Sequence, residues 1–353
     1  MAISKGTGRP KRVVAVGYGL MGRGMARLVE RTPWTQLVGV VDRAEPALAE
    51  AARAHSLAPS CVGDSLARVL REARPDLVVV NTPSEHHYRQ VMAALDHGCH
   101  VLAAKPLAAT LPQALRIVER AREVGRKVVV GQQIRFNRHY LAVARFIASG
   151  AIGSVESVQL LNSKPRPQPM NLGEIPQPAM LEMACHHFDA LLAMFPRSRP
   201  RSIMATGFRP SWSAYKGHCM VNAMLELSGG VHVLYHGGFS AQAPCYELRL
   251  EGSEGTLRCR GIHMSAGEFS YEVAPRGGEF APAAIEADVP ARSPWDVFMK
   301  HWHRYLTRNA EPVFSARRNL PVLAMLAAGT ESMARGRRVN IEDSARYAAA
   351  FHA

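Results

Sequence analysis

Through the first part of the chain, short runs of Val, Leu, Ile and Ala alternate with stretches whose apolar positions recur every three or four residues. Positions 12–16, 37–41, 76–80, 100–103 and 127–130 are such runs. Near-continuous apolar strands are those covered on both faces, which predicts a parallel sheet. Between them, a helix is predicted from Met21 onward, where Met25, Leu28 and Val29 follow at helical spacing. Further helices are predicted over 44–54, 64–73, 87–97 and 111–124, and another running to Ser149. Thr110 stands where an N-cap belongs, with Pro112 in the first turn, and Gly98 and Gly125 close two of the helices. Strand and helix in succession predict an α/β domain with a doubly wound parallel sheet.

The pattern changes at Gly150-Ala-Ile-Gly153. Positions 154–162 alternate like a strand. Positions 163–178 are proline-rich and irregular, placed to overhang a site, with Lys164 and Arg166 as candidate substrate contacts. A helix then starts at Met180. Strand-like segments follow at 201–208, 219–227, 231–239, 245–251 and 256–260, separated by turns such as Ser228-Gly-Gly230, which predicts an antiparallel sheet. Helices are predicted over 295–307 and 316–335. The chain thus divides into a flexible N-terminus (1–10), a first domain (11–150) and a second (151–353), whose C-terminal helices are candidates to pack back on the first.

Composition narrows function more than fold. The 353 residues suffice for two cores, and 47% hydrophobic with 20% charged content is ordinary for a soluble protein. The net charge of +14 is high, but the arginines are scattered. With no basic tract and no aromatic-interleaved stripe, this argues against a nucleic-acid partner and for an anionic cofactor or substrate. Six cysteines without a Cys-x-x-Cys pair argue against a zinc site or disulfide framework and for reduced thiols in a cytoplasm. Residues 1–9 lack the apolar core of a signal peptide, and no apolar run is long enough to cross a bilayer, so no membrane partner is expected. No metal is expected either: Cys185, His186 and His187 diverge on a helix, as do His301 and His303.

The candidate chemistry begins where strand 12–16 runs into Gly17-Tyr-Gly-Leu-Met-Gly22 and a helix follows at once. That order makes Gly17, Tyr18, Gly19, Leu20, Met21 and Gly22 a dinucleotide-binding loop. Gly17 permits the tight turn, Gly19 lets backbone approach a pyrophosphate, and Gly22 allows close helix–strand packing. Asp42, at the end of the second strand, is placed to bind the adenosine ribose and favours NAD, while the neighbouring Arg43 would welcome the extra phosphate of NADP. Asn81 to His87, with Thr82 and Pro83, and then Lys105-Pro106, end later strands at the same carboxyl edge, where doubly wound sheets bind ligands. A lysine there would stabilise a developing alkoxide. In the helix from Met180, Glu182, His186 and Asp189 stand at i, i+4 and i+7, a stripe roughly 60° wide on an α-helix. Leu181, Cys185, Phe188 and Leu192 form an apolar stripe beside it. Asp189 reads best as a salt-bridged packing residue, and His187, about 140° from Glu182, is not counted catalytic.

With these residues in place, the chain resembles the Gfo/Idh/MocA family of oxidoreductases from about Lys11 to Ile341. Gly17 to Gly22 with Asp42 match its nucleotide fingerprint, Thr82-Pro83 and His87 its Thr-Pro-x-x-x-His stretch, and Lys105-Pro106 its Glu-Lys-Pro signature. Arg135-Phe136, the turn at Gly150 to Gly153, and Glu182 with His186 and Asp189 match later motifs. The resemblance implies a Rossmann domain followed by an α/β domain whose open, mainly antiparallel sheet often forms homodimers or homotetramers. It implies Arg135 beside the cofactor and Lys105, Glu182 and His186 around a sugar, cyclitol or related polyol. Hydride would pass between NAD(P) and a secondary alcohol, with His186 as general base, Lys105 on the alcohol oxygen and Glu182 holding a hydroxyl or orienting His186. Two departures stand out: Ala104 replaces the signature glutamate, and Glu182 is one methylene longer than the usual aspartate. The first keeps open a non-catalytic NAD(P)-binding sensor; a non-redox sugar-processing enzyme recycling tightly held NAD is a further alternative.

Overall fold

Strand runs of Val and Leu bury both faces only if helices cover the sheet on each side, and the first half of the chain folds that way. The computed structural model describes residues 9–265, 267–285 and 293–352; most of the N-terminus expected to be flexible, positions 1–8, lies outside them. The chain up to Gln132 with Trp295–Leu320 forms one compact unit, and Gln133–Pro294 with Pro321–His352 forms another.

The first unit runs β1 (Lys11–Val16), α1 (Leu20–Arg31), β2 (Thr35–Val41), α2 (Glu45–Ala54), β3 (Val62–Gly63), α3 (Leu66–Ala73), β4 (Leu77–Val80), α4 (Ser84–Asp96), β5 (His100–Ala103), α5 (Leu111–Glu123) and β6 (Val128–Val130). Its six strands pair in parallel in the order β3-β2-β1-β4-β5-β6. Val13 to Val16 and Leu77 to Val80 are all at most 1% exposed, as strands covered on both faces should be. The strand order reverses at β1 and β4, so the crevice beyond their carboxyl ends is the expected ligand edge. Thr110 caps α5 by accepting from the Gln113 N–H, as its sequence position predicts.

The second unit begins with α6 (Arg138–Ala148) and β7 (Val155–Pro165). After α7 (Cys185–Met194) come β8 (Pro200–Phe208), β9 (Met220–Leu227), β10 (Val231–Gly238), β11 (Ser240–Gly252), β12 (Gly255–Gly261), β13 (Ser270–Pro275) and β14 (Ala281–Pro282). The chain then contributes α8 (Pro294–Arg308), nearly all of it in the first unit, α9 (Ala316–Arg335), β15 (Val339–Asn340) and α10 (Ala345–His352). The nine-stranded sheet has the order β14-β13-β12-β11-β7-β10-β9-β8-β15. The predicted antiparallel pairing holds throughout except at β7 and β10, which run parallel. A parallel pair needs a long crossover, and the chain between these two strands, with α7, β8 and β9, supplies it. β13 carries no apolar alternation that would have announced it, because near the sheet edge most of its side chains stay partly open.

One face of this sheet is covered and the other is open. On the open face, β-register sets Met204, Met224 and Leu234 side by side, at 38%, 55% and 54% exposure. The same row continues through Gln159 into Arg249, Arg258 and Glu272.

Candidate active site

In the first unit, the glycine loop is a site made by omission. Gly17 takes φ +86°, where glycine is favoured, and a Cβ there would meet the Asn81 carbonyl at 2.9 Å. At Gly22 a Cβ would stand 2.0 Å from the Gly17 carbonyl oxygen, so any side chain is barred. Gly19, the residue before α1, is the opposite case: nothing lies within 4 Å of the position its Cβ would take. The next two side chains, Leu20 and Met21, are 72% and 65% exposed, which leaves two large apolar groups flanking that open backbone. The first turn of α1 holds no acidic residue, so the positive end of the helix is unopposed.

Asp42 follows β2 and braces this loop. Its Oδ2 accepts from the Tyr18 N–H at 2.6 Å and its Oδ1 from the Ala44 N–H at 2.9 Å, leaving each oxygen a further lone pair. Arg43 is exposed. Tyr18 turns inward, 3% exposed, and its hydroxyl bonds His55 Nε2 at 2.7 Å, while His55 Nδ1 meets Glu30 at 2.6 Å. Open backbone at a helix N-terminus, an apolar flank and a carboxylate one strand away fit the pyrophosphate and ribose of a dinucleotide.

The later edge residues sit close by in the same unit. Asn81 donates its N–H to the Val16 carbonyl, bringing Thr82 and Pro83 against the glycine loop, where the Thr82 methyl would lie 3.0 Å from a Cβ on Gly17. His87 falls inside α4, one turn later than its sequence position indicated, and is 1% exposed. Its Nδ1 lies 2.8 Å from the Pro106 carbonyl and its Nε2 2.8 Å from the Thr82 carbonyl. The ring therefore ties the Thr82 turn to Pro106. Lys105, half-buried at the end of β5, is joined to Pro106 by a cis peptide.

In the second unit, the stretch from Pro178 to Leu191 is buried at every side chain except Leu181, Glu182 and His186. The predicted pairing of an apolar stripe with a polar one is thus replaced by a helix buried on most sides, with Glu182 and His186 its partly open polar side chains beside Leu181, Leu192 and Ala193. Its first turn, Ala179–Ala184, is π-helical before α7 begins at Cys185. Angles computed for an ideal α-helix therefore fail across that joint; π turns of this kind recur at functional sites, and nothing in the sequence marked this one.

The remaining polar residues of the helix face inward. Asp189 is 2% exposed and accepts from Arg135 Nε at 2.8 Å and Nη2 at 3.0 Å, and the same Nη2 also reaches the Asp189 carbonyl at 3.1 Å. Arg135, expected beside the cofactor, thus has these donors turned to Asp189. Burial pushes the Asp189 carboxyl up and the guanidinium pulls it back. His187, 0% exposed, bonds the Tyr235 hydroxyl at 2.7 Å, and burial lowers its pKa to about 3. Lys164 and Arg166 lie at the end of β7 and just beyond it, both half-buried. Among the described residues, no group of three or more His, Cys, Asp or Glu side chains could hold a metal ion, and no helix is long and apolar enough to cross a membrane.

Comparison with known proteins agrees with this architecture. Residues 11–132 match the model of the Gfo/Idh/MocA oxidoreductase family with its NAD-binding Rossmann fold, and residues 140–258 match the Gfo/Idh/MocA C-terminal domain. An inositol 2-dehydrogenase of Rhodococcus jostii is 32% identical over 162 residues, 45% of this chain and 43% of that protein. The chain spans about half the length of most curated relatives it matches. An inositol 2-dehydrogenase of Rhizobium meliloti aligns further, at 24% identity over 92% of this chain and 98% of its own. Among solved structures, an aldose–aldose oxidoreductase from Caulobacter crescentus superposes with a TM-score of 0.82 at 18% identity, covering 94% of this chain and all of that one. With both family models matched in order along two thirds of its length, the chain belongs to the Gfo/Idh/MocA oxidoreductase family, whose N-terminal domain is an NAD(P)-binding Rossmann fold.

Proposed function

We propose that this protein is an NAD(P)-dependent dehydrogenase or reductase that acts on a secondary alcohol of a sugar, cyclitol or sugar derivative. The observation that carries this reading is the otherwise buried stretch from Pro178 to Leu191, in which Glu182 and His186 are the polar side chains left partly open. Burying a helix on nearly all sides while opening it at a carboxylate and an imidazole serves proton chemistry better than it serves packing. In oxidation His186 takes the hydroxyl proton, and in reduction it returns it; imidazole suits both roles near neutrality. Lys105 donates a hydrogen bond to the same oxygen and stabilises the charge that develops there. Glu182 holds a neighbouring hydroxyl or orients His186. The dinucleotide, when bound, supplies the hydride acceptor or donor. Relatives that are inositol 2-dehydrogenases support a polyol substrate.

Asp42 favours NAD, because a carboxylate that can accept from ribose hydroxyls would repel a 2′-phosphate. The open sheet face, with Met204, Met224 and Leu234 in one row, is the surface we assign to self-association with a second copy of the chain.

The test is formation of reduced nicotinamide, with NAD and with NADP, across free sugars, cyclitols, glycosides and sugar acids. Turnover that His186→Ala abolishes upholds the proposal. Tight NAD binding by calorimetry with silence across the whole panel overturns it in favour of a non-catalytic sensor.

A further inference from the structure

At the end of β7, the geometry points to a subsite for an anionic group of the substrate, a carboxylate or a phosphate ester, formed by Lys164, Arg166 and the Tyr215 hydroxyl. The inference rests on the polyol reading above and narrows it to acidic sugars. Strand alternation fixes the face. Val158, Leu160 and Asn162 are buried on the covered side of the sheet, and Lys164 follows in the same phase. Asn162 Nδ2 reaches the Met183 sulfur at 3.6 Å, and Met183 is the neighbour of Glu182, so this face of β7 abuts the segment that carries Glu182. Asn162 Oδ1 is itself buried with no hydrogen-bond partner.

Arg166 is held in place from below. Its backbone N–H bonds the Phe239 carbonyl at 2.8 Å, and its guanidinium lies over the Phe239 ring at 5.6 Å. The Tyr215 ring stacks on that same ring, with centroids 5.7 Å apart and planes at 11°. Tyr215, 1% exposed, joins Phe239 and Met183 in one buried cluster, yet its hydroxyl has no hydrogen-bond partner. A buried hydroxyl without a partner is unfavourable, so a ligand oxygen there would be favoured.

The electrostatics agree. Neither Lys164 nor Arg166 forms an ion pair among the described residues. Burial and the Arg166 charge push the Lys164 ammonium down, and burial with the Lys164 charge lowers His263 to about 4. Arg166 in turn favours the ionised form of Tyr215, although burial outweighs it and raises that phenol to about 12. Half-buried cations crowding one another with no carboxylate between them are unfavourable alone and relieved by an anion.

The experiment titrates the intact protein, with NAD present, with matched sets of an aldose, its aldonate, its uronate and its 6-phosphate, reading affinity by calorimetry and turnover by nicotinamide reduction. In at least one set an acidic member should bind about ten-fold or more tighter than its neutral parent. The carboxylate and phosphate arms tell the two sources apart. Lys164→Met and Arg166→Met should each cut that preference by about ten-fold, seen in KM more than in kcat, while Lys164→Arg, which keeps the charge, retains it. Acid binding without turnover upholds the subsite and overturns the dehydrogenase reading. Turnover confined to neutral members upholds the dehydrogenase and overturns the subsite. Acids that bind no better than their neutral parents, or no binding at all, overturn it as well.

Discussion

The glycine loop at residues 17–22 is a candidate site made of backbone, whereas the helix around Glu182 and His186 is a candidate site made of two side chains. In the loop, Gly17 and Gly22 leave room for each other and for Asn81, and Gly19 faces open space. The helix is the opposite case: it is packed on most sides, and the chemistry we propose falls to the polar side chains that packing leaves partly uncovered. A site of the first kind is damaged by adding atoms, a site of the second by removing them. The second also rests on buried polar supports, the Arg135–Asp189 ion pair among them.

The largest effect should fall on such a support. Arg135 and Asp189 are 8% and 2% exposed and meet through two side-chain hydrogen bonds. Arg135→Met leaves a buried carboxylate alone and should cost about 3–5 kcal/mol in stability. The double variant Arg135→Met with Asp189→Leu should recover most of it, since two apolar groups need no partner. Denaturant unfolding of the single and double variants checks this. A single variant as stable as the parent would mean that the pair supports nothing.

His186 and His187 split the comparison within one helix. His186→Ala should lower turnover by about two orders of magnitude or more and leave the unfolding midpoint nearly unchanged. His187→Ala should do the reverse, because it strands the Tyr235 hydroxyl, which His187 Nδ1 bonds at 2.7 Å, at a cost of about 1–3 kcal/mol. Turnover and thermal melting of both variants decide it, and equal behaviour would dissolve the distinction between an open and a buried histidine.

In the loop, Gly22→Ala and Gly19→Ala should separate folding from binding. A Cβ at Gly22 would collide with the Gly17 carbonyl at 2.0 Å, so about 1–3 kcal/mol of stability should be lost along with cofactor affinity. A Cβ at Gly19 meets nothing, so stability should hold while NAD affinity falls. Calorimetry with NAD beside a melting curve tells them apart.

What could be read from the sequence follows the same division. The turn at Gly17 and the close contact of Gly22 with it are local, so spacing reveals them, although Gly17 also makes room for Asn81. Five strands of the six-stranded sheet were equally legible, because strands such as Leu77–Val80 are apolar at every position, whereas the two-residue β3 is too short to show a pattern. The supports of the second unit are not local. Asp189 could be read as salt-bridged, but its partner lies 54 positions earlier, and only the fold brings it there. The π turn at Ala179–Ala184 left no mark in composition, so the angle between Glu182 and His186 could not be derived from ideal helix geometry. Tyr215 was missed because nothing local links it to Arg166. The signal that could have found it was the aromatic and cationic content around positions 163–178 and 208–218, which only the tertiary fold brings together, on the Phe239 ring.

The last predicted effect is the pH dependence of stability, and it sharpens the contrast between buried support and open chemistry. Burial lowers His139 and His187 to about 3, far below the ordinary 6.5. Below pH 6.5 the unfolded chain therefore binds protons that the folded chain refuses, so the stability these two residues confer is complete above that pH and declines as pH falls towards 3. Each fully buried neutral histidine contributes a slope of about 1.4 kcal/mol per pH unit within that window. The carboxylates held low by arginines, such as Glu50, Glu123 and Glu311, act only below their ordinary 4.5, so between 6.5 and 4.5 the histidines act without them. The unfolding free energy of the parent should fall across that interval, and His187→Gln should fall less steeply by about one histidine's slope. Parallel pH profiles for the two proteins would show that His187 is not held neutral by its burial.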